Sequence, residues 1–452
     1  MATSLALKNS ELPTVVISGG SLSGLMIAIV LKDLGYSVTV LERFLTVESQ
    51  GAGIVLGRWS SKFFEVFDKT ETEIGVPALR RQFFNKDGTT MMDEKIELRM
   101  TSWDKLYYTL RANFDGLVQD GYIQTKSAAA HKDDRTNYFM GCTVLAHSYD
   151  TESQKVDVAY RDKEGCETHI MTDLFVCAEG ASSSSREIYF PKLPRSYSGY
   201  LAFRGLVPEI DLDPETAKSL VHSLSVSWLY PTPSSFTNRI EKFIHAKDSQ
   251  FLCYTIPGPR GSTIPGGRYM NFVWYNTYPE GPHLEKVMTD KDGKRHPYSV
   301  STGSMAESVI RDEIHPRAQT KLSPQCLDVV MKTKYPFVQL VTDVISPAAV
   351  FHDGHVLLVG DALSGARPHT TASTNQAADH ALRLHAVLGH DPRDLGSLAK
   401  TWEPESLRYA KHLWDIGTAI GNLSQFEDHP MSVERESQER PFEEWMKVGE
   451  PK

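Results

Sequence analysis

The sequence predicts an α/β protein: a discontinuous Rossmann-type dinucleotide-binding domain, an α+β second domain around an antiparallel sheet, and C-terminal helices. Three observations predict it. Residues 13–43 spell a strand, a glycine turn, a helix and a strand ending in an acid; residues 191–347 are rich in aromatics, prolines and strand-like runs; and a short buried strand followed by helices returns after residue 356.

Taken in order, Thr14–Ser18 reads as a buried parallel strand, and Gly19 begins a tight turn. Residues 23–34 have the apolar density of a helix packed on a sheet, and Gly24 lets that helix press close to the strand. A pyrophosphate at the helix N-terminus would meet unpaired N–H groups and the positive end of the dipole. Glu42 ends the second strand, where a carboxylate accepts hydrogen bonds from an adenosine ribose and repels a 2′-phosphate. Arg43 beside it could be read as a 2′-phosphate site, but the pair suits the adenosine of a dinucleotide better. The middle glycine of the G-x-G-x-x-G fingerprint is Ser21 here, so a hydroxyl stands at the closest phosphate contact.

Residues 103–114 predict a helix with Leu106, Tyr107, Leu110 and Phe114 on one side. CTVLAHSYD, VDVAYRD and THIMTDLFVC predict short strands leading into residues 175–178. GYLAFRGLV, FLCYTIPG and RYMNFVWYNTY are the strands of the second domain, and residues 376–387 and 398–423 read as mostly helical. The division expected is 1–78, 101–187 and 348–395 for the nucleotide domain, 79–100 and 188–347 for the substrate domain, 396–425 for a C-terminal helical segment and 426–452 for a charged tail.

Composition narrows the class. The net charge of −9, with acids and bases interspersed, argues against a nucleic-acid surface. Five scattered cysteines without C-x-x-C spacing predict buried, reduced thiols rather than disulfides or a metal site. No apolar run approaches the ~20 residues of a membrane span, and the N-terminal residues lack a signal-peptide pattern, so a soluble cytoplasmic protein is expected.

Later segments separate the kinds of nucleotide enzyme. VCAEGASSSSR ends a strand at a small-residue turn, and VLLVGDALSGARPHTTASTNQAADHA ends another at Gly360, Asp361 and Ala362 before Pro368 and a helix-opening polar stretch that includes Thr374. With GAGIVL, which contains Gly53, and YLAFRG, which contains Tyr200 and Arg204, these resemble in order and spacing the single-component FAD-dependent aromatic hydroxylases, from residue 13 to about residue 410. NFVWYNTYPEGPHLEKVMTDKDGKRHPYSV, the triplet Arg367, Pro368, His369, and TSWDKLYYTL narrow the resemblance to the hydroxypyridine monooxygenases and their fungal relatives. That subgroup accommodates Ser21, and carries an aromatic where other members have an arginine, which fits Trp103.

The resemblance implies noncovalent FAD and a reaction in which NAD(P)H and O2 hydroxylate an electron-rich aromatic or heteroaromatic small molecule through a flavin C4a-hydroperoxide. It puts Asp361 on the flavin ribityl hydroxyls and the N-terminus of the helix after Pro368 at the flavin pyrimidine. Glu179, where the family has aspartate, falls near the pyrophosphate and the incoming nicotinamide. His369 is the candidate base for a ring hydroxyl, Arg204 lies by flavin and substrate, and Tyr200, Tyr254 and Trp274 are candidate pocket walls. No metal is called for, and the resemblance leaves room for a homodimer. An oxidase or dehydrogenase without oxygen insertion, and a noncatalytic FAD-fold binding protein, stay open as alternatives.

Overall fold

The computed structural model describes residues 13–47, 51–84, 87–123, 134–221, 223–227 and 249–426. The charged tail expected at the C-terminus lies, from residue 427 on, outside the described residues.

Thr14–Ser18 pairs in parallel with Ser37–Glu42 on one side and with Leu174–Cys177 on the other. Thr136–Met140 extends the first flank, and Val356–Leu358 followed by antiparallel Val350–Phe351 extends the second. The chain thus builds one side of its first strand, then returns to build the other. Loops diverge at the end of such a strand, and the crevice they leave is where α/β sheets bind ligands. Leu25 to Leu31 are buried without a break because their helix, Leu22–Asp33, packs against the sheet and against the helices Trp103–Asp115 and Ser373–Leu388. Thr143–Asp150, Lys155–Arg161 and Glu167–Thr172 form a separate antiparallel meander, as their alternation predicted.

The second sheet runs in the order Ser299–Val300, Phe337–Ile345, Ser196–Pro208, Tyr269–Thr277, Ser249–Ile256, Ser223–Ser227, Val76–Phe84, Thr90–Ser102, Gly53–Leu56. Gly53–Leu56 and the start of Val76–Phe84 were expected with the nucleotide domain, yet their backbone hydrogen bonds go to the large sheet. One face of this sheet buries Leu201, Phe203, Phe251, Phe272 and Trp274 with Ala318, Cys326 and Val329 of two short helices. The opposite face carries Tyr200, Ala202, Leu252 and Tyr275 and points at the seam between the sheets. Ser364–Gly365 pairs with Phe337–Ile345 across that seam, and the helix Glu403–Gln425 packs along it.

Cys142, Cys177, Cys253 and Cys326 are buried, as expected, while Cys166 is exposed. Among the described residues, no helix is long and apolar enough to cross a membrane.

Candidate active site

The glycine turn sits at the switch point. Gly19 has φ +101°, and a Cβ there would lie 2.3 Å from the Ala178 carbonyl oxygen, so only glycine lets the two strand ends approach. Gly24 presses its helix onto Gly19 in the same way. Glu42 accepts the N–H of Gly20 at 2.8 Å and of Phe44 at 2.9 Å, which ties the second strand's end to the turn. Arg43 is exposed, its guanidinium 4.9 Å from the Phe44 ring. Trp103 donates its indole N–H to Ser21 Oγ at 3.2 Å.

Glu179 does not reach outward. Its carboxylate accepts from the hydroxyls of Ser18 (2.9 Å), Ser183 (2.7 Å) and Ser185 (2.9 Å) and from the Ser185 N–H (3.0 Å). The serine run after Glu179 is the cradle of this carboxylate, and the longer arm of glutamate is what lets it fold back. Arg186 next to it is fully buried, donating to the carbonyls of Ala181 and Ala362.

Ala362 belongs to the third cofactor segment. Gly360 lies against Ser23 of the first helix turn, and Ser23 Oγ is buried with no hydrogen-bond partner among the described residues. The Asp361 carboxylate likewise accepts no hydrogen bond there, and burial pushes its pKa up to about 6 against the pull of Arg195 and Arg186. Pro368 is exposed at the start of a short turn, and Thr374 is buried in the first turn of the helix Ser373–Leu388, which has no side-chain cap of its own. Asn375 caps another helix instead, accepting the N–H groups of Trp59 and Ser60.

His369 crosses the seam. It is buried, with Nε2 2.8 Å from the Tyr200 hydroxyl and Nδ1 2.8 Å from Gln250 Oε1; its ring centre is 4.3 Å from that of Tyr275. Burial holds the Tyr200 phenol far above its ordinary value. With the Gln250 amide so oriented, Nδ1 carries the imidazole proton and Nε2 accepts from Tyr200. On the same sheet face, Arg204 donates to Gln339 Oε1 at 3.2 Å, while its Nε is buried without a hydrogen-bond partner among the described residues. Tyr254 and Asn271 close against Gly53, where a Cβ would lie 2.7 Å from the Asn271 amide, and burial pushes the Tyr254 phenol up to about 12.

Trp274 is a correction: it pairs across the strand with Phe203 on the opposite face, is fully buried in the far core and donates to Ser249 Oγ at 2.8 Å. Gln250 and Asn271 were missed. A polar residue inside Ser249–Ile256, a strand buried at every position, is the signal that pointed to Gln250.

A family model described as FAD binding domain-like matches residues 197–343. The 2,6-dihydroxypyridine 3-monooxygenase of Paenarthrobacter nicotinovorans is 27% identical over 400 residues, 87% of each chain. The solved 2,6-dihydroxypyridine-3-hydroxylase of Arthrobacter nicotinovorans superposes with a TM-score of 0.74 at 24% identity, covering 93% of this chain and 95% of that one. HpxO of Klebsiella pneumoniae, complexed with FAD and uric acid, gives 0.66 at 16% identity over 92% and 90% of the two chains. In sequence and fold the chain is similar to the FAD-dependent aromatic hydroxylases, as its motifs implied. Within that class its likeness to 2,6-dihydroxypyridine 3-monooxygenase extends over most of its length.

Proposed function

We propose that the chain is an FAD-dependent monooxygenase that uses NAD(P)H and O2 to hydroxylate a small, hydroxylated aromatic or heteroaromatic ring of the dihydroxypyridine type, acting in the cytoplasm. The observation that carries the reading is Asp361, a partly buried carboxylate just past a buried strand that accepts no hydrogen bond among the described residues, which suits the ribityl hydroxyls of FAD. Ser23 Oγ, also without a partner among the described residues, suits the neighbouring phosphates. Glu42 has lone pairs left for ribose hydroxyls beyond those taken by Gly20 and Phe44.

When bound, FAD would supply the redox chemistry, a hydride acceptor for NAD(P)H and an activator of O2, with one oxygen atom for the ring and the other for water. The first-turn N–H groups of the helix Ser373–Leu388, which no side chain caps, would favour negative charge on a flavin ring held there. Arg204 and Asn271 offer donors to the oxygens of a hydroxylated ring. Both His369 nitrogens are engaged, so the substrate proton goes to Tyr200 oxygen while the Tyr200 proton moves to His369 Nε2. His369 then acts as a base one bond removed. The Glu179 carboxylate, held by its serines, positions the second turn.

The test is direct. Purified protein carries noncovalent FAD, and hydroxypyridines or phenols stimulate NAD(P)H oxidation with a product heavier by one oxygen atom. Stimulated oxidation with peroxide as sole product across the panel would instead support an oxidase.

A further inference from the structure

We propose that Ser21 and Trp103 act as a matched pair that presents the Ser21 hydroxyl proton to the cofactor's pyrophosphate, so that the serine in the fingerprint is a working donor. The proposal rests on the FAD reading above. Ser21 is the N-cap of the helix Leu22–Asp33, with extended φ −84° and ψ −164°, yet its side chain caps nothing. N-cap serines ordinarily accept a first-turn N–H. Here Oγ accepts the Trp103 indole N–H instead, at 3.2 Å. An indole only donates, so one oxygen lone pair is taken and the hydroxyl proton is directed elsewhere. The first backbone bond of the helix runs from Leu25 N to Ser21 O, leaving the N–H groups of Leu22, Ser23 and Gly24 to the same ligand.

The indole cannot drift. Trp103 donates its backbone N–H to Ala52 O at 3.0 Å and stacks on Tyr107, centroids 4.9 Å apart and planes at 13°. Tyr107 Oη accepts from Arg111 at 2.8 Å and lies 3.2 Å from Tyr138 Oη, which donates to Gly20 O at 2.8 Å. Arg111 lies 3.6 Å over the Tyr138 ring and is paired to Asp115. One network therefore grips the turn twice, at the Gly20 carbonyl and at the Ser21 hydroxyl.

The experiment measures binding of FAD, ADP and adenosine to apoprotein by fluorescence and calorimetry. Ser21→Gly restores the ordinary fingerprint, and is nevertheless expected to weaken FAD and ADP about tenfold, as loss of one charge-assisted hydrogen bond does, with adenosine unchanged. Trp103→Phe keeps the stack and loses the N–H; it should weaken FAD less, and add nothing in the Ser21→Gly background. Ser21→Gly binding FAD as tightly as wild type, additive losses in the double variant, or an equal loss for adenosine would each overturn the pair. Wild-type protein that binds neither FAD nor ADP would overturn the cofactor reading itself. Thermal unfolding of each apoprotein identifies variants that fold.

Discussion

A carboxylate that burial disfavours leaves a mark on stability as well as on binding. Asp361 has a folded pKa of about 6, above the ~3.9 of an unfolded aspartate. The unfolded chain therefore releases this proton first as pH rises. Stability is lost between about pH 4 and 6, the loss is complete above 6, and below about pH 4 the group contributes nothing. Asp361→Asn should stabilise the apoprotein at pH 7.5, by about 1–3 kcal/mol, with the gain vanishing near pH 4, while FAD affinity falls. A lower apoprotein melting temperature at pH 7.5 would contradict this account. Asp361 and Glu42 were legible as positions because Glu42 ends its strand and Asp361 sits in the turn that follows a buried strand, each in a motif of fixed order. Glu179 was not, since its fate depended on how far a longer side chain folds back onto Ser183 and Ser185. His369 was legible as a position but not in its chemistry, because Gln250, far away in sequence, decides which nitrogen carries the proton. His369→Ala should retain FAD and slow hydroxylation by ~10²–10⁴, and Gln250→Leu should shift the pH profile of hydroxylation without weakening FAD. Wild-type hydroxylation and coupling in both variants would remove the Tyr200–His369 relay.

Among the elements, helices packed on the sheet announced themselves, because Leu22–Asp33 is apolar all round and Trp103–Asp115 is striped. The faces of the large sheet did not. Tyr269–Thr277 is buried on both sides, so its alternation carries no sign of which side meets the seam, and Trp274 was assigned to the wrong one. The register places Tyr275 opposite Ala202 and Trp274 opposite Phe203, which settles it. The C-terminal helix Glu403–Gln425 was readable as a helix, but its partner was not. Gly421 brings it against the relay: a Cβ there would lie 2.3 Å from Tyr200 Oη and 3.1 Å from His369 Nε2. Gly421→Ala, ordinarily a change that favours a helix by up to ~1 kcal/mol, is therefore expected to displace Tyr200, lower kcat for hydroxylation and leave FAD affinity intact. Unaltered kcat would mean that the helix yields and the relay does not.

At the scale of the molecule, an ion pair shielded from water is among the polar contacts that join the two sheets. Arg367, in the segment between Asp361 and His369, donates to Asp343 Oδ2 at 2.6 Å on the large sheet and to Asn422 Oδ1 at 2.7 Å on the C-terminal helix. Both charged side chains are only 11% and 12% exposed. The sequence showed Arg367 as part of a triplet beside the flavin motif; that its partner is Asp343, on a strand of the other sheet, follows only from the pairing of Phe337–Ile345 with Ser364–Gly365. Removing one member of a buried pair strands the other charge away from water, which costs more than the pair itself contributes. Arg367→Met should therefore destabilise the protein by about 3 kcal/mol and loosen His369 two residues on, lowering hydroxylation along with the melting temperature. Adding Asp343→Asn removes the stranded charge, so the double variant should regain a large part of the stability without regaining the rate. The check is a double-mutant cycle of unfolding free energies with hydroxylation measured on the same four proteins. If the two stability losses simply add, the pair is not what holds the sheets together at this point; if the rate recovers with stability, Arg367 serves the fold and not the placement of His369.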